Sequence, residues 1–110
     1  MDVKNRRKLQ KAGWKIGDAE DFLDLSPEER AFVQMKLALA RGLRETRTER
    51  DLSQTEVAAL IGSSQSRVAK MEAADPSVSL DLMIKALLSL GAQRKDVAKI
   101  IAATQAVVTV

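Results

Sequence analysis

A chain of 110 residues with 45% hydrophobic content is long enough to bury one core, and aromatic residues at 3% make that core aliphatic. The net charge of +3 is modest, and the absence of His, Cys and Tyr excludes disulfides, thiol or imidazole catalysis and every metal site that is not built from carboxylates. With five glycines and two prolines in a chain rich in Ala, Leu, Val and Ile, the composition favours an all-α fold, no enzyme, no metal and no cofactor.

Charge is distributed in blocks. Residues 1–17 carry a net +5, residues 18–29 a net −6 and residues 30–50 a net +4, while residues 51–110 are balanced. The basic start leads into Asp18-Ala19-Glu20-Asp21 rather than an apolar run, the wrong order for a secretory signal. In the acidic cluster that follows, Leu23 stands where a calcium loop needs Gly. No apolar run approaches the ~20 residues of a membrane span, and a cytoplasmic location fits the lack of cysteine.

Residues 1–13 hold few apolar side chains and read as disordered, with Trp14 and Ile16 beginning the ordered part. The first clear helix start is Ser26-Pro27-Glu28-Glu29: Ser26 caps, Pro27 suits the first helical position and Glu29 closes a capping box. Phe32, Met35, Leu39 and Leu43 follow at helical spacing with Ala31, Leu37 and Ala40 nearby, and the helix runs to about Arg50 with Gly42 as its weak spot. Ser53-Gln54-Thr55-Glu56 is a second capping box, opening a helix over Gln54 to Ile61 that Gly62 ends. A third helix starts at Ser63 or Ser64 and reaches about Ala73, before the loop Asp75-Pro76-Ser77. Ser79 caps a fourth, with Leu80, Met83, Ile84, Leu87 and Leu88 as its buried stripe and Gly91 as its stop. A fifth spans about Arg94 to Ala102, with Val97, Ile100 and Ile101 apolar, and the β-branched Ala106–Val110 is ambiguous. The domain boundaries expected are an extension over 1–25, a folded domain over 26–102 and a tail over 103–110. Its core is expected from Leu39, Leu43, Val57, Ala58, Ile61, Val68, Met71, Ile84 and Leu87.

The segment over about residues 53–73 carries the functional signal. Val57 and Ile61 face inward, Ala58 lets a second helix approach closely, Gly62 turns the chain, and Val68 and Met71 anchor the second helix. The opposite face then presents Ser64, Gln65, Ser66, Ala69 and Lys70, free of acids until Glu72. Such a helix can enter a major groove without repelling phosphate. An ordinary helical hairpin with a solvated face is the alternative.

The full pattern, Ser53-Gln54, Val57-Ala58, Gly62, Gln65-Ser66 and Val68, closely resembles the Xre-type helix-turn-helix family of Cro and lambda repressor. The resemblance covers about residues 36–91 and implies a five-helix lambda-repressor-like DNA-binding domain with the motif as its second and third helices. More narrowly, Trp14-Lys15-Ile16-Gly17-Asp18, Phe22-Leu23-Asp24-Leu25-Ser26, Gly62 through Val68 and Asp75 through Leu80 are similar to HigA-type antitoxins. Asp51 and Ala74 stand where the family often has Gly, and Ser63 where it often has an apolar residue.

The resemblance also implies roles. Gln54 touches phosphate and braces Gln65 across the turn, and Gln65 pairs with adenine N6 and N7. Ser66 meets a base or a phosphate, Arg67 and Lys70 a phosphate or a guanine, and Ser64 with the first amides of its helix suits a phosphate. Arg47 and Glu72 form a structural ion pair, with an Arg47–phosphate contact as the alternative. The function implied is a sequence-specific repressor that binds double-stranded operator DNA as a homodimer. Its dimer interface is expected at the last helix and tail, through Val97, Ile100, Ile101, Val107 and Val108, unless these close the monomer core. An antitoxin that neutralises a toxin through residues 18–29 and autoregulates its operon is the alternative function, and a helical bundle with no DNA role is a third.

Overall fold

A computed structural model gives the structure of residues 24–103, in which five helices and no strand are present: α1 (Pro27–Glu49), α2 (Gln54–Ile61), α3 (Gln65–Glu72), α4 (Leu80–Ser89) and α5 (Arg94–Ala102). This is the all-α, five-helix arrangement that the sequence resemblance implies. Residues 1–23 and 104–110 lie outside the described residues, and with them Trp14, Ile16, Val107 and Val108.

The helices begin where the sequence supplies side-chain acceptors. Ser26, Ser53, Ser64 and Ser79 each sit in extended backbone and accept a hydrogen bond from the N–H three residues on, relieving a donor that has no partner within the helix. At two of these starts the bond is returned: the Ser26 N–H donates to Glu29 Oε1 and the Ser53 N–H to Glu56 Oε1, both at 2.8 Å. The Ser53 bonds hold the Glu56 carboxyl below its ordinary pKa. α5 opens at Gln93, whose N–H donates to Asp96 Oδ2.

The first four helices end alike. Asp51, Gly62, Ala74 and Gly91 adopt left-handed backbone, with φ of 54°, 67°, 54° and 97°. Each donates its N–H to the carbonyl three residues back, and the next residue donates to the carbonyl five back: Leu52 to Arg47, Ser63 to Ala58, Asp75 to Lys70 and Ala92 to Leu87. This double closure satisfies the orphan carbonyls of a helix end and requires positive φ at its corner. Asp51 and Ala74, the two departures from glycine, therefore leave the turn geometry unchanged and carry its backbone strain instead.

The core joins all five helices. Leu39, Leu43, Val57, Val68, Met71, Met83 and Leu87 are fully buried, with Ala58 close behind. Ile61 and Ile84 are only half-buried and pack on the rim of this cluster, not within it. The inward face of α1 also differs from the expected Phe32–Met35 stripe. Glu29, Val33 and Lys36 are buried in its first half and Ala38, Leu39, Ala40, Gly42 and Leu43 further on, while Phe32 is 36% exposed and Met35 half-buried. Leu39 and Leu43 are buried as their spacing predicts, so the departure is confined to the first half of the helix, where two of the inward positions are charged. Burial of the Lys36 ammonium pulls its pKa below the ordinary lysine value, partly offset by the Asp75 carboxylate. On α4, Met83, Ala86 and Leu87 hold the inner face, with Leu90 just beyond the last turn, and Leu88 is turned outward, 44% exposed.

Gly42 is where α5 closes against α1. A Cβ at this position would lie 2.8 Å from Ile100 Cδ1, so what reads as a weak spot in the helix is a condition of close helix packing. Val97, three residues earlier on α5, is buried as well. Val97 belongs to the chain's own core, and Ile100 packs half-buried against it. No helix among the described residues is long and apolar enough to cross a membrane.

Candidate nucleic-acid interface

α2 and α3 pack directly on each other, joined by the turn at Gly62 and capped afresh at Ser64, whose Oγ accepts from the Arg67 N–H at 3.2 Å. Val68 and Met71 are fully buried and fix which side of α3 faces out. Ser64, Gln65, Ser66, Arg67 and Lys70 are then all exposed. This outer face is short, polar and cationic. Glu72, the one acid of α3, turns back into the protein with its side chain 6% exposed.

Glu72 is the centre of a hydrogen-bonded chain. Arg47, from the last turn of α1, grips it with two parallel bonds, Nε to Oε2 at 2.6 Å and Nη2 to Oε1 at 3.1 Å. The remaining Arg47 nitrogen, Nη1, donates to the Leu52 carbonyl at 2.9 Å and so braces the α1–α2 turn. Its hydrogen bond to Glu72 raises the Arg47 pKa further above an already high value. Gln54, at the start of α2, donates Nε2 to Glu72 Oε1 at 3.2 Å. Its Oε1 accepts from Gln65 Nε2 at 2.7 Å. Four side chains from three helices thus run from a part-buried ion pair to an exposed amide on the outer face of α3.

Of the residues singled out in the sequence, Gln54, Gln65, Arg47 and Glu72 are brought into this one chain, while Ser64, Ser66, Arg67 and Lys70 lie outside it on the exposed face. Lys70 also has an acid in its neighbourhood. The Asp75 carboxyl is held below its ordinary pKa, first by its hydrogen bonds with Ser77 and further by Lys70 and Lys36.

Two links are not legible in the sequence. One joins Gln54 to Glu72, and its only sequence signal is an acid in the last turn of a helix, where the macrodipole is unfavourable to it and a strong partner is needed. The other is Arg50, whose guanidinium donates to the Leu90 carbonyl and ties the end of α1 to the end of α4. A Cβ at Gly91 would lie 2.9 Å from its Nη1.

Comparison with protein families gives a match to a model described as helix-turn-helix over residues 43–97, half of the chain. The match runs from the buried Leu43 of α1 to the buried Val97 of α5 and contains the α2–turn–α3 unit whole. Comparison with curated proteins and with solved structures gives no match.

Proposed function

The chain belongs to the helix-turn-helix family, whose domain is that of a DNA-binding transcriptional regulator, and from that premise we propose a repressor that reads its operator with the outer face of α3. The observation that carries this reading is the braced Gln65 amide: one N–H is taken by Gln54, leaving the carbonyl oxygen and the second N–H for the groove. An acceptor beside a donor complements adenine in the major groove, which offers N7 and N6–H₂, and mismatches guanine, which offers two acceptors.

Around Gln65 the other exposed groups take the supporting roles. Ser66 meets a base or phosphate, Arg67 and Lys70 neutralise phosphate, and Ser64 with the first turn of α3 and Gln54 with the start of α2 receive phosphates at two helix N-termini. One copy offers a single recognition helix of eight residues. Two copies related by a two-fold axis would set their recognition helices about 34 Å apart, one turn of DNA, so the functional unit in this reading is a homodimer on a near-palindrome. The six acids of residues 18–29 favour a second reading, in which the same domain autoregulates an operon while that run meets the basic surface of a toxin.

Selection of bound sequences from a random DNA pool at fixed salt tests the first reading. The selected sites are expected to be two-fold symmetric. Gln65→Ala is expected to cost about 1–3 kcal/mol on the selected site while leaving affinity for random duplex unchanged. Lys70→Ala is expected to weaken both alike, since a phosphate contact carries no sequence information. An unchanged ratio of specific to random affinity in Gln65→Ala would take base reading away from Gln65. For the second reading, rescue of growth from a toxin co-expressed with the full chain, lost when the acids of 18–29 are neutralised, is the discriminating result.

A further inference from the structure

The Arg47–Glu72 pair looks like scaffold, because neither side chain is on the outer face of α3. Its connection to Gln65 gives it a second consequence. A primary amide has an oxygen that accepts and a nitrogen that donates, and the two are so alike in shape that packing does not distinguish them; only hydrogen-bond partners do. An ionised carboxylate accepts and never donates. Glu72 Oε1 therefore requires Gln54 to present its nitrogen. That choice turns the Gln54 oxygen toward α3, where it in turn requires the nitrogen of Gln65. Gln65 is left with its nitrogen pinned inward and its oxygen free. Each amide direction follows from the one behind it, and the series starts at the carboxylate.

We propose that Glu72, although buried behind the recognition surface, determines the base preference at the position Gln65 reads, by fixing the direction of two successive amides. The proposal rests on the reading that Gln65 contacts a base. With a neutral amide in place of the carboxylate, residue 72 can offer either an oxygen or a nitrogen to Gln54. Where it offers nitrogen, both downstream amides reverse and Gln65 turns its NH₂ outward. That group is a pair of donors, the complement of guanine O6 and N7 and not of adenine. Glu72 is in this sense a positioning residue. It touches no base, and its effect is confined to the one base step that Gln65 faces.

The test compares the full-length protein with its Glu72→Gln, Gln65→Ala and Gln54→Leu variants, using base-by-base selection from a random DNA pool at one salt concentration, with melting temperature measured in parallel. In Glu72→Gln the preference for adenine over guanine is expected to fall roughly tenfold at one position in each half-site, with the other positions and random-duplex affinity unchanged. A purely structural role would lower the melting temperature and leave that ratio intact, and this result would overturn the proposal. Gln54→Leu keeps the Arg47–Glu72 pair and cuts the chain downstream of it, so the same local loss of preference is expected even if Glu72→Gln does not fold. A retained preference in Gln54→Leu also overturns the proposal. Gln65→Ala separates the two levels: no change in its profile removes base reading by Gln65 itself. A changed Gln65→Ala profile beside an unchanged Glu72→Gln profile removes only the role of Glu72.

Discussion

Met71 and Glu72 are adjacent in sequence and both turn their side chains inward, yet they belong to regions built on different principles. Met71 joins an aliphatic cluster drawn from all five helices, where contact is non-directional and a side chain of similar volume serves nearly as well. Glu72 joins Arg47, Gln54 and Gln65, where each atom is used as a donor or an acceptor and no other atom of the same size replaces it. The aliphatic region gives the domain its stability. The polar region is thinner, and its value lies in orientation: it holds an exposed amide in one direction from behind. The boundary between the two runs along α3, one residue wide.

Putting the wrong chemistry into either region tests this contrast. The largest effect is expected for Val68→Asp, which places a charge without a partner into the aliphatic cluster and costs several kcal/mol, enough to abolish cooperative melting followed by circular dichroism. Next is Arg47→Met, which leaves the Glu72 carboxylate largely buried and without its strongest partner, at a cost of about 3 kcal/mol in chemical denaturation. Pairing it with Glu72→Leu is expected to recover most of that stability, because an apolar pair avoids the buried charge. A double mutant as unstable as the single one would mean that the ion pair contributes to stability beyond neutralising itself. The smallest effect lies outside both regions. Asp51→Gly relieves a left-handed corner at an exposed position, and after the added freedom of the unfolded chain is subtracted it is expected to stabilise by about 0.5 kcal/mol, read as a shift in denaturation midpoint.

The sequence carried the helix boundaries because they are local. Four serine caps and two glycine corners are read from single residues, and Pro27 at the first position of α1 fixes its start. The second half of α1 follows its apolar pattern, with Leu39 and Leu43 buried, but the first half does not, since Lys36 and Glu29 occupy buried positions that a hydrophobicity pattern assigns to solvent. Leu88 misled for the opposite reason: it fits the apolar pattern of α4 but lies past the edge of what the core can cover. In the candidate interface, the outward positions of Ser64, Gln65, Ser66 and Lys70 follow from the anchoring of Val68 and Met71, whereas Ala69 is half-buried and the exposed Arg67 is not in that set. The bond from Gln54 to Glu72 does not follow in this way, because it depends on where the two ends of α2 and α3 meet in space, and no spacing along the chain encodes that distance.

The contact of Ile100 with Gly42 has a bearing on the order in which the domain comes together. α1 through α4 are linked by short turns, and pairings between near neighbours along a chain form early because little loop entropy is lost in closing them. α5 packs against α1, the first helix, over the longest sequence separation in the domain, so its docking is expected to be the closing step and its release the first step of opening. Such an opening bares the strip of α1 around Gly42 and Leu43 while leaving the Arg47–Glu72 bonds in place. Amide exchange would then divide the molecule unevenly, with α5 exchanging through local detachment and the α2–α3 unit only through global unfolding. The DNA-reading surface would in that case outlast the clasp that completes the fold.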